Sequence, residues 1–230
     1  MKNRSTSDGF FGWHLVIGLL VFVAMTIVLA QISDQVMEGE PLTVTDAQLS
    51  QWLHAKRTPG QVTAFRYVTS LGSTVVASTL ATVVGIFLLW RGQRYWFTTL
   101  LISILGGVLL NVFLKTAFQR ARPSFDDPIM TFTGYSFPSG HTLTATVLYG
   151  CLAALIVANT KHRGVRLLTI LIACLLIALV GFSRIYLGAH YLTDVLAAIA
   201  EGLAWLSLSF TLVYSFWRQR NNQSRKQILN

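Results

Sequence analysis

Long apolar blocks dominate the chain, separated by short polar stretches. They cover Phe10–Ala30, Val68–Trp90, Tyr95–Leu114, Thr142–Asn159, Leu167–Phe182 and Leu192–Trp217. A helix crosses a bilayer core with roughly 20 apolar residues, within a range of about 17–25. Five blocks meet or nearly meet that length. The fifth, Leu167–Phe182, does so only by running on through Ser183, Arg184, Ile185, Tyr186 and Leu187, which puts an arginine at the membrane boundary. The first block follows Lys2 and Arg4 but is longer than a signal-peptide core, and no small-x-small break follows it, so it reads as a retained span. The pattern predicts an all-α, six-transmembrane-helix bundle, with residues 1–230 forming one integral membrane domain. There is no internal repeat, low-complexity tract or soluble domain.

Composition agrees with this reading: 53% of residues are hydrophobic and 12% charged, about half the charged share of a soluble domain. The net charge of +9 would suggest nucleic acid on a soluble protein, but its distribution points elsewhere. With the amino terminus inside, 11 of the 18 basic residues fall on the inner side: Lys2, Arg4, Arg91, Arg94, Lys161, Arg163, Arg166, Arg218, Arg220, Arg225 and Lys226. Only Asp8 opposes them there, and the other side is close to neutral. By the positive-inside rule both termini are expected in the cytoplasm, with the inner basic residues against anionic head groups. Trp13, Trp90, Trp96 and Trp217 fall at the predicted inner ends of spans, where an aromatic belt is expected. Cys151 and Cys174 lie within spans and read as small core residues without a disulfide.

Two loops are long, and both fall on the outer side. The first covers residues 31–67. In it Leu49, Trp52 and Leu53 have i, i+3, i+4 spacing after a Thr45-Asp46 cap, which predicts a short amphipathic helix on the membrane surface or over a site. The second runs from Lys115 to Pro138, and Pro123 and Pro128 argue against continuous helix there. The tail at residues 218–230 is expected to be cytoplasmic, disordered or interfacial.

Polar residues interrupt the apolar pattern at three points: Lys115 to Arg122-Pro123, Pro138-Ser139-Gly140-His141, and Ser183-Arg184 to His190 and Asp194. The topology puts all three at one depth on one side. Lys115, Arg122 and Arg184 would be costly near a low-dielectric boundary unless they shared a dianion. Guanidinium forks match phosphate oxygens, and lysine adds a point charge. Ser139 and Gly140 open a helix, whose free N–H groups form an anion site that glycine lets a ligand approach. His190 and Asp194 are i, i+4 on one helix face. A carboxylate on one ring nitrogen fixes the tautomer and leaves the other nitrogen's lone pair to attack. His141, with no acid nearby in sequence, suits a proton donor to a leaving oxygen. No third His or acid cluster completes a metal site, so no metal or cofactor is expected.

These three patches resemble the type 2 phosphatidic acid phosphatase superfamily of membrane lipid phosphatases and related acid phosphatases and haloperoxidases. Its signature is Lys, six residues, Arg-Pro; then Pro-Ser-Gly-His; then Ser-Arg, five residues, His, three residues, Asp. The chain matches it without a departure within residues 115–194. The resemblance implies a phosphohistidine intermediate on His190, with His141 acting as acid and then base. It implies phosphate binding by Lys115, Arg122, Ser139, Gly140, His141 and Arg184. It favours a bacterial inner-membrane enzyme with its site on the extracytoplasmic side. Expected partners are membrane lipids and a lipid phosphate substrate: undecaprenyl pyrophosphate, phosphatidylglycerol phosphate or phosphatidate. A lipid phosphotransferase would use the same residues with a second acceptor. A transporter is disfavoured by the lack of inverted repeats, and a soluble haloperoxidase by the six spans.

Other polar residues read more plainly. His14, His54 and His162 are expected at the membrane interface. Arg120 reads as a solvated loop charge rather than a phosphate contact. Asp126 and Asp127 are expected to be solvated or paired with loop arginines. Glu201 reads as a hydrogen-bonded packing residue and Asn111 as support for Lys115.

Overall fold

A computed structural model describes residues 5–39, 41–127 and 132–229, with side chains described between Leu15 and Gln223. Readings that rest on Lys2, Arg4, Asp8, Trp13, His14, Pro128, Arg225 and Lys226 concern side chains or residues outside that range. Among the described residues eight helices follow one another: α1 (Ser5–Glu38), α2 (Pro41–Ala55), α3 (Pro59–Ser70), α4 (Thr74–Trp90), α5 (Arg94–Phe118), α6 (Gly140–Asn159), α7 (Arg163–Tyr186) and α8 (Leu192–Leu229).

Among the described residues six stretches are long and apolar enough to cross a membrane: Leu15–Glu38, Pro59–Trp90, Arg94–Phe118, Gly140–Asn159, Arg163–Tyr186 and Leu192–Gln223. Val16, Leu20, Leu168, Leu171 and Leu175 are exposed on the bundle's outside. Water would not tolerate so continuous an apolar surface, whereas lipid tails solvate it. α6 and α8 are the most enclosed spans, and Leu143, Val147, Leu148 and Cys151 of α6 belong to the main core. The fifth span does run on past Phe182, and α7 carries Arg184 in its last turn. Cys174, expected in the core, is exposed on α7.

The first long loop is mostly helical. α1 runs to Glu38 and α2 covers Pro41–Ala55, and α3 starts at Pro59 behind a Thr58 cap. Proline at the first helical position loses no hydrogen bond. α2 is longer than its apolar spacing indicates, so Asp46 lies mid-helix and buried instead of capping it. Leu53 joins Ile185, Tyr186 and Val195 in a second core cluster, with Leu49 packed on it. α2 is thereby seated on the end of α7 and the start of α8.

The second span is broken at Leu71-Gly72-Ser73 between α3 and α4. A side chain at Gly72 would come within 2.7 Å of the His141 carbonyl oxygen, so the break packs directly on the start of α6. α5 ends where Gln119 turns left-handed (φ 48°) and its N–H closes on the Lys115 carbonyl. Pro123 then keeps the following chain out of helix. The tail, expected to be disordered or interfacial, continues α8 as helix to Leu229. Residues after Trp217 include Gln, Arg and Lys, good helix formers, and no Gly or Pro to stop the helix.

Candidate active site

The three motifs meet at one end of the bundle. Lys115 comes from the last turn of α5, Ser139, Gly140 and His141 from the start of α6, and Arg184 from the last turn of α7. His190 lies in the turn before α8, and Asp194 in that helix's first turn. The turn is tied to Arg184, whose carbonyl accepts from the N–H groups of Ala189 (3.0 Å) and His190 (3.3 Å). The Ser139 N–H donates to the Asp194 carbonyl at 3.0 Å, coupling the start of α6 to the start of α8. No side chain caps α6, so its first-turn N–H groups remain available to an anion. A Cβ at Gly140 would stand 3.4 Å from Asn111 Oδ1, in ordinary contact.

The cations divide into two kinds. Lys115 Nζ donates to the carbonyls of Tyr135 (2.9 Å) and Ser136 (3.3 Å). Arg122 donates through Nε to the Gly134 carbonyl (3.0 Å) and through Nη1 to the Ala189 carbonyl (2.7 Å). Arg184 donates through Nη1 to Thr69 Oγ1 at 2.9 Å, and its Nε is buried without a partner. Among the described residues no carboxylate is paired with any of these three. They are held by neutral acceptors, and Asp194 acts on Lys115 and Arg122 only at longer range, so none is neutralised by a paired acid among the described residues. Phe132 lies against both guanidiniums, 5.6 Å from Arg122 and 5.2 Å from Arg184. Burial pulls Arg122 below its usual pKa.

Arg120 is the opposite case. Expected to be a solvated loop charge, it is instead largely buried and bridges two carboxylates, Asp194 Oδ1 at 2.6 Å and Asp46 Oδ2 at 2.9 Å. The chain reverses at Gln119, and the Ser136 N–H closes on the Arg120 carbonyl at 2.8 Å, which turns the Arg120 side chain inward. Burial pulls its pKa down, but Asp194 and Asp46 outweigh that and hold it above the usual value.

His190 has a partner on each ring nitrogen. Nδ1 lies 3.3 Å from Asp194 Oδ2, and Nε2 lies 3.3 Å from Arg122 Nη1. A carboxylate can only accept and a guanidinium only donate. Both contacts therefore select the same tautomer, with the proton on Nδ1 and the lone pair on Nε2. Burial lowers the imidazole to about 4 despite the opposing pull of Asp194, so the ring is neutral at pH 7. His141 is half-buried, and Arg184, His190, Arg122 and Lys115 are all close enough to act on it electrostatically. The described residues contain no group of three His, Cys, Asp or Glu able to ligate a metal.

Glu201 is hydrogen-bonded inside the bundle, as expected, and its partner is Asn111, the residue expected to support Lys115. Asn111 Nδ2 donates to Glu201 Oε2 at 2.9 Å inside the bundle, one helical turn below Lys115. Glu201 is fully buried, with Oε1 unpartnered.

Several members were missed by sequence reasoning. The Ser136 hydroxyl donates to Asp194 Oδ2 and lies 3.4 Å from His190 Nδ1. It stands two residues before Pro138, just outside the motif. Asp46 and Thr69 lie far from every motif, and only the fold brings them in. His54, expected simply at the interface, stacks on Phe125 (4.1 Å) and binds Asp127 at 2.6 Å. Asp127 pairs with that histidine rather than with a loop arginine, and the contact lowers its pKa. Asp126 is exposed, as expected, and so is His162.

An apolar recess of about 230 Å³ opens beside Gly140 and His141, lined also by Gly72, Ala77, Ile104 and Val108. A second, of about 320 Å³, continues along α4 and α5 and shares Ser78 and Ile104 with the first. Together they run from the polar cluster into the lipid-facing side of the bundle.

Comparison with known proteins agrees with this arrangement. The PAP2 superfamily model matches residues 96–218. The chain is 34% identical over 154 residues to phosphatidylglycerophosphatase B of Bacillus subtilis, covering 65% of this chain and 71% of the relative. It is 35% identical over 140 residues to lipid A 1-phosphatase of Rhizobium etli, covering 57% of this chain; it spans about half of that longer relative, 53%. Its structure is similar to the crystal structure of a transmembrane PAP2-type phosphatidylglycerolphosphate phosphatase from Bacillus subtilis. The TM-score is 0.71 and the identity 27%, over 86% of this chain and 96% of the other. The chain belongs to the PAP2 superfamily and is a multi-pass membrane phosphatase.

Proposed function

We propose that the protein hydrolyses a lipid phosphate or pyrophosphate through a phosphohistidine on His190, at the extracytoplasmic face of a bacterial inner membrane. The observation that carries this reading is the contrast among the cations. Arg120 is neutralised by two carboxylates, whereas Lys115, Arg122 and Arg184 are held only by neutral groups around a histidine. A phosphoryl dianion supplies the missing charge. The recess leading from His141 between α4 and α5 suits an apolar chain attached to that phosphate. The names of the relatives, a phosphatidylglycerophosphatase and a lipid A phosphatase, support the lipid class. The motif resemblance adds undecaprenyl pyrophosphate and phosphatidate.

In the first step the Nε2 lone pair of His190 attacks phosphorus and the bond to the leaving oxygen breaks. His141 donates its proton to that oxygen. Asp194 keeps the Nδ1 proton in place and balances the positive charge that develops on the ring. Lys115, Arg122, Arg184 and the α6 N–H groups hold the equatorial oxygens. In the second step His141 takes a proton from water, the hydroxide attacks phosphorus, and the P–N bond breaks to release phosphate and neutral His190.

The intermediate can be trapped. A ³²P-labelled lipid phosphate, mixed with the purified enzyme and quenched with base, should leave label on the protein that acid removes, and His190→Ala should abolish it. Base-stable label on His190→Ala at the wild-type level would reject His190 as nucleophile. Inorganic phosphate in stoichiometric yield separates hydrolysis from transfer to a second acceptor.

A further inference from the structure

Among the described residues Asp46 is the acid outside the motifs that enters this cluster, and it comes from α2, an element with no part in the steps above. It is 2% exposed in the middle of its helix. Oδ1 accepts from the Thr193 N–H at 3.1 Å, while Oδ2 accepts from Arg120 Nη2 at 2.9 Å and from the Thr193 hydroxyl. Thr193 is the second residue of α8, and its N–H is one of the donors a helix start leaves open. Asp46 thus caps α8 from another helix, one residue before Asp194. Arg120 Nη1 meanwhile reaches Asp194 Oδ1 at 2.6 Å and Thr193 Oγ1 at 2.7 Å. The remaining oxygen of Asp194 receives Ser136, the Tyr191 N–H at 2.9 Å and His190 Nδ1.

We propose that Asp46 is a positioning residue for the nucleophile, acting through Arg120 on Asp194, so that α2 is a working part of the active centre. The proposal rests on the reading that Asp194 orients His190. Docking α2 requires no charge, because Leu49 and Leu53 already seat it on the bundle. A buried carboxylate is a poor choice for docking alone, since desolvation offsets most of what an ion pair gains. Its effect lies in the charge count. Asp194 with Arg120 alone is a neutral pair, which would hold the imidazole proton weakly and balance little of the positive charge formed on phosphorylation. With Asp46 on the other prong of the fork, Arg120 is compensated twice and the trio keeps one net negative charge facing His190. The fork also fixes the Asp194 carboxylate plane, because both prongs are held.

Asp46→Asn keeps the shape and removes the charge. With the full-length enzyme in detergent and p-nitrophenyl phosphate as substrate, kcat should fall about tenfold, with KM changed less than about twofold, in the usual range for directly coupled polar residues. The deciding measurement is a double-mutant cycle with Asp194→Asn, in which the Asp46 effect should shrink to less than about twofold because there is no longer a carboxylate to position. Asp46→Glu should recover much of the lost kcat. An unchanged kcat in Asp46→Asn, a loss carried wholly by KM, or an equal loss in both backgrounds would overturn the proposal and leave Asp46 a structural residue. If Asp194→Asn alone retains full activity, the underlying assignment of Asp194 falls first, and this proposal with it. Should Asp46→Asn fail to fold, Arg120→Lys breaks the fork with charge retained, and its cycle with Asp194→Asn must show the same collapse.

Discussion

Arg184 offers the sharpest test of the uncompensated-cation argument, because stability and activity should move in opposite directions when it is removed. The residue is 5% exposed, its guanidinium donates to Thr69, a neutral partner, and its buried Nε has no partner among the described residues. A buried donor without a partner costs about 1–3 kcal/mol, and more when charged. Arg184→Met keeps the packed stem, removes the charge, and leaves only the Thr69 hydroxyl unpaired. The ligand-free variant should therefore unfold at a temperature equal to or above that of the wild type. The same change removes a preorganised donor for the transition state, a loss of about 10²–10³ in kcat. Vanadate links the two effects, since it fills the phosphate site. At 100 times its dissociation constant a ligand stabilises the folded state by about 2.7 kcal/mol. The wild type should gain that stabilisation, and Arg184→Met should lose most of it. Thermal unfolding in one detergent, with and without vanadate, measures all of this. A variant clearly less stable without ligand, yet still stabilised fully by vanadate, would refute the argument and make Arg184 a structural cation.

The two histidines should separate by leaving group. His141→Ala should be severe on lipid monophosphates, whose alkoxide needs a proton, and milder on p-nitrophenyl phosphate, while no substrate should rescue His190→Ala; the reverse pattern refutes the assignment. The pH dependence follows from the depressed His190 imidazole. An unfolded histidine takes up a proton near pH 6.5, whereas in the fold this waits until about 4. The unfolded chain thus binds more protons between those values, so stability is fully present above pH 6.5 and is lost as pH falls towards 4. Activity, corrected for substrate ionisation, should show no acidic limb near 6.5 from His190, and a His190 imidazole seen by NMR to titrate near that pH in the folded enzyme would contradict a buried neutral ring. Sidedness is checked with reporters: one fused at the carboxyl terminus should report cytoplasm and one inserted near Lys56 the opposite side, and inverted results would move the site to the cytoplasmic face.

The six spans were legible because membrane burial imposes a one-dimensional signal: twenty apolar residues in a row cannot be hidden by tertiary context. The motif residues were legible for a related reason. Lys115, Arg122, Arg184 and His190 stand where the apolar pattern would otherwise continue, so each is conspicuous against its own neighbours. The extramembrane part carries no such background. In α2, Asp46 sits among Thr, Gln and Ser residues, where an acid is ordinary, and the Thr45-Asp46 pair reads as a helix start although the helix begins at Pro41.

Arg120 shows why such a background hides function. Its sequence position, two residues before Arg122, gives it the same apparent role as that motif arginine. What separates them is the direction each side chain takes after the reversal at Gln119. One meets the Asp46 and Asp194 carboxylates, and the other meets backbone carbonyls and the His190 ring. Both are arginines in the loop between α5 and α6. The first fixes a carboxylate, and under the proposed function the second has charge to offer a phosphate. Identity and spacing cannot carry that difference, because it depends on which acids lie across the fold, 74 residues away in each case. An arginine near a phosphate motif should accordingly be assigned by its partners. When carboxylates already surround it, it organises the site, and when only neutral acceptors do, it is free to bind the anion.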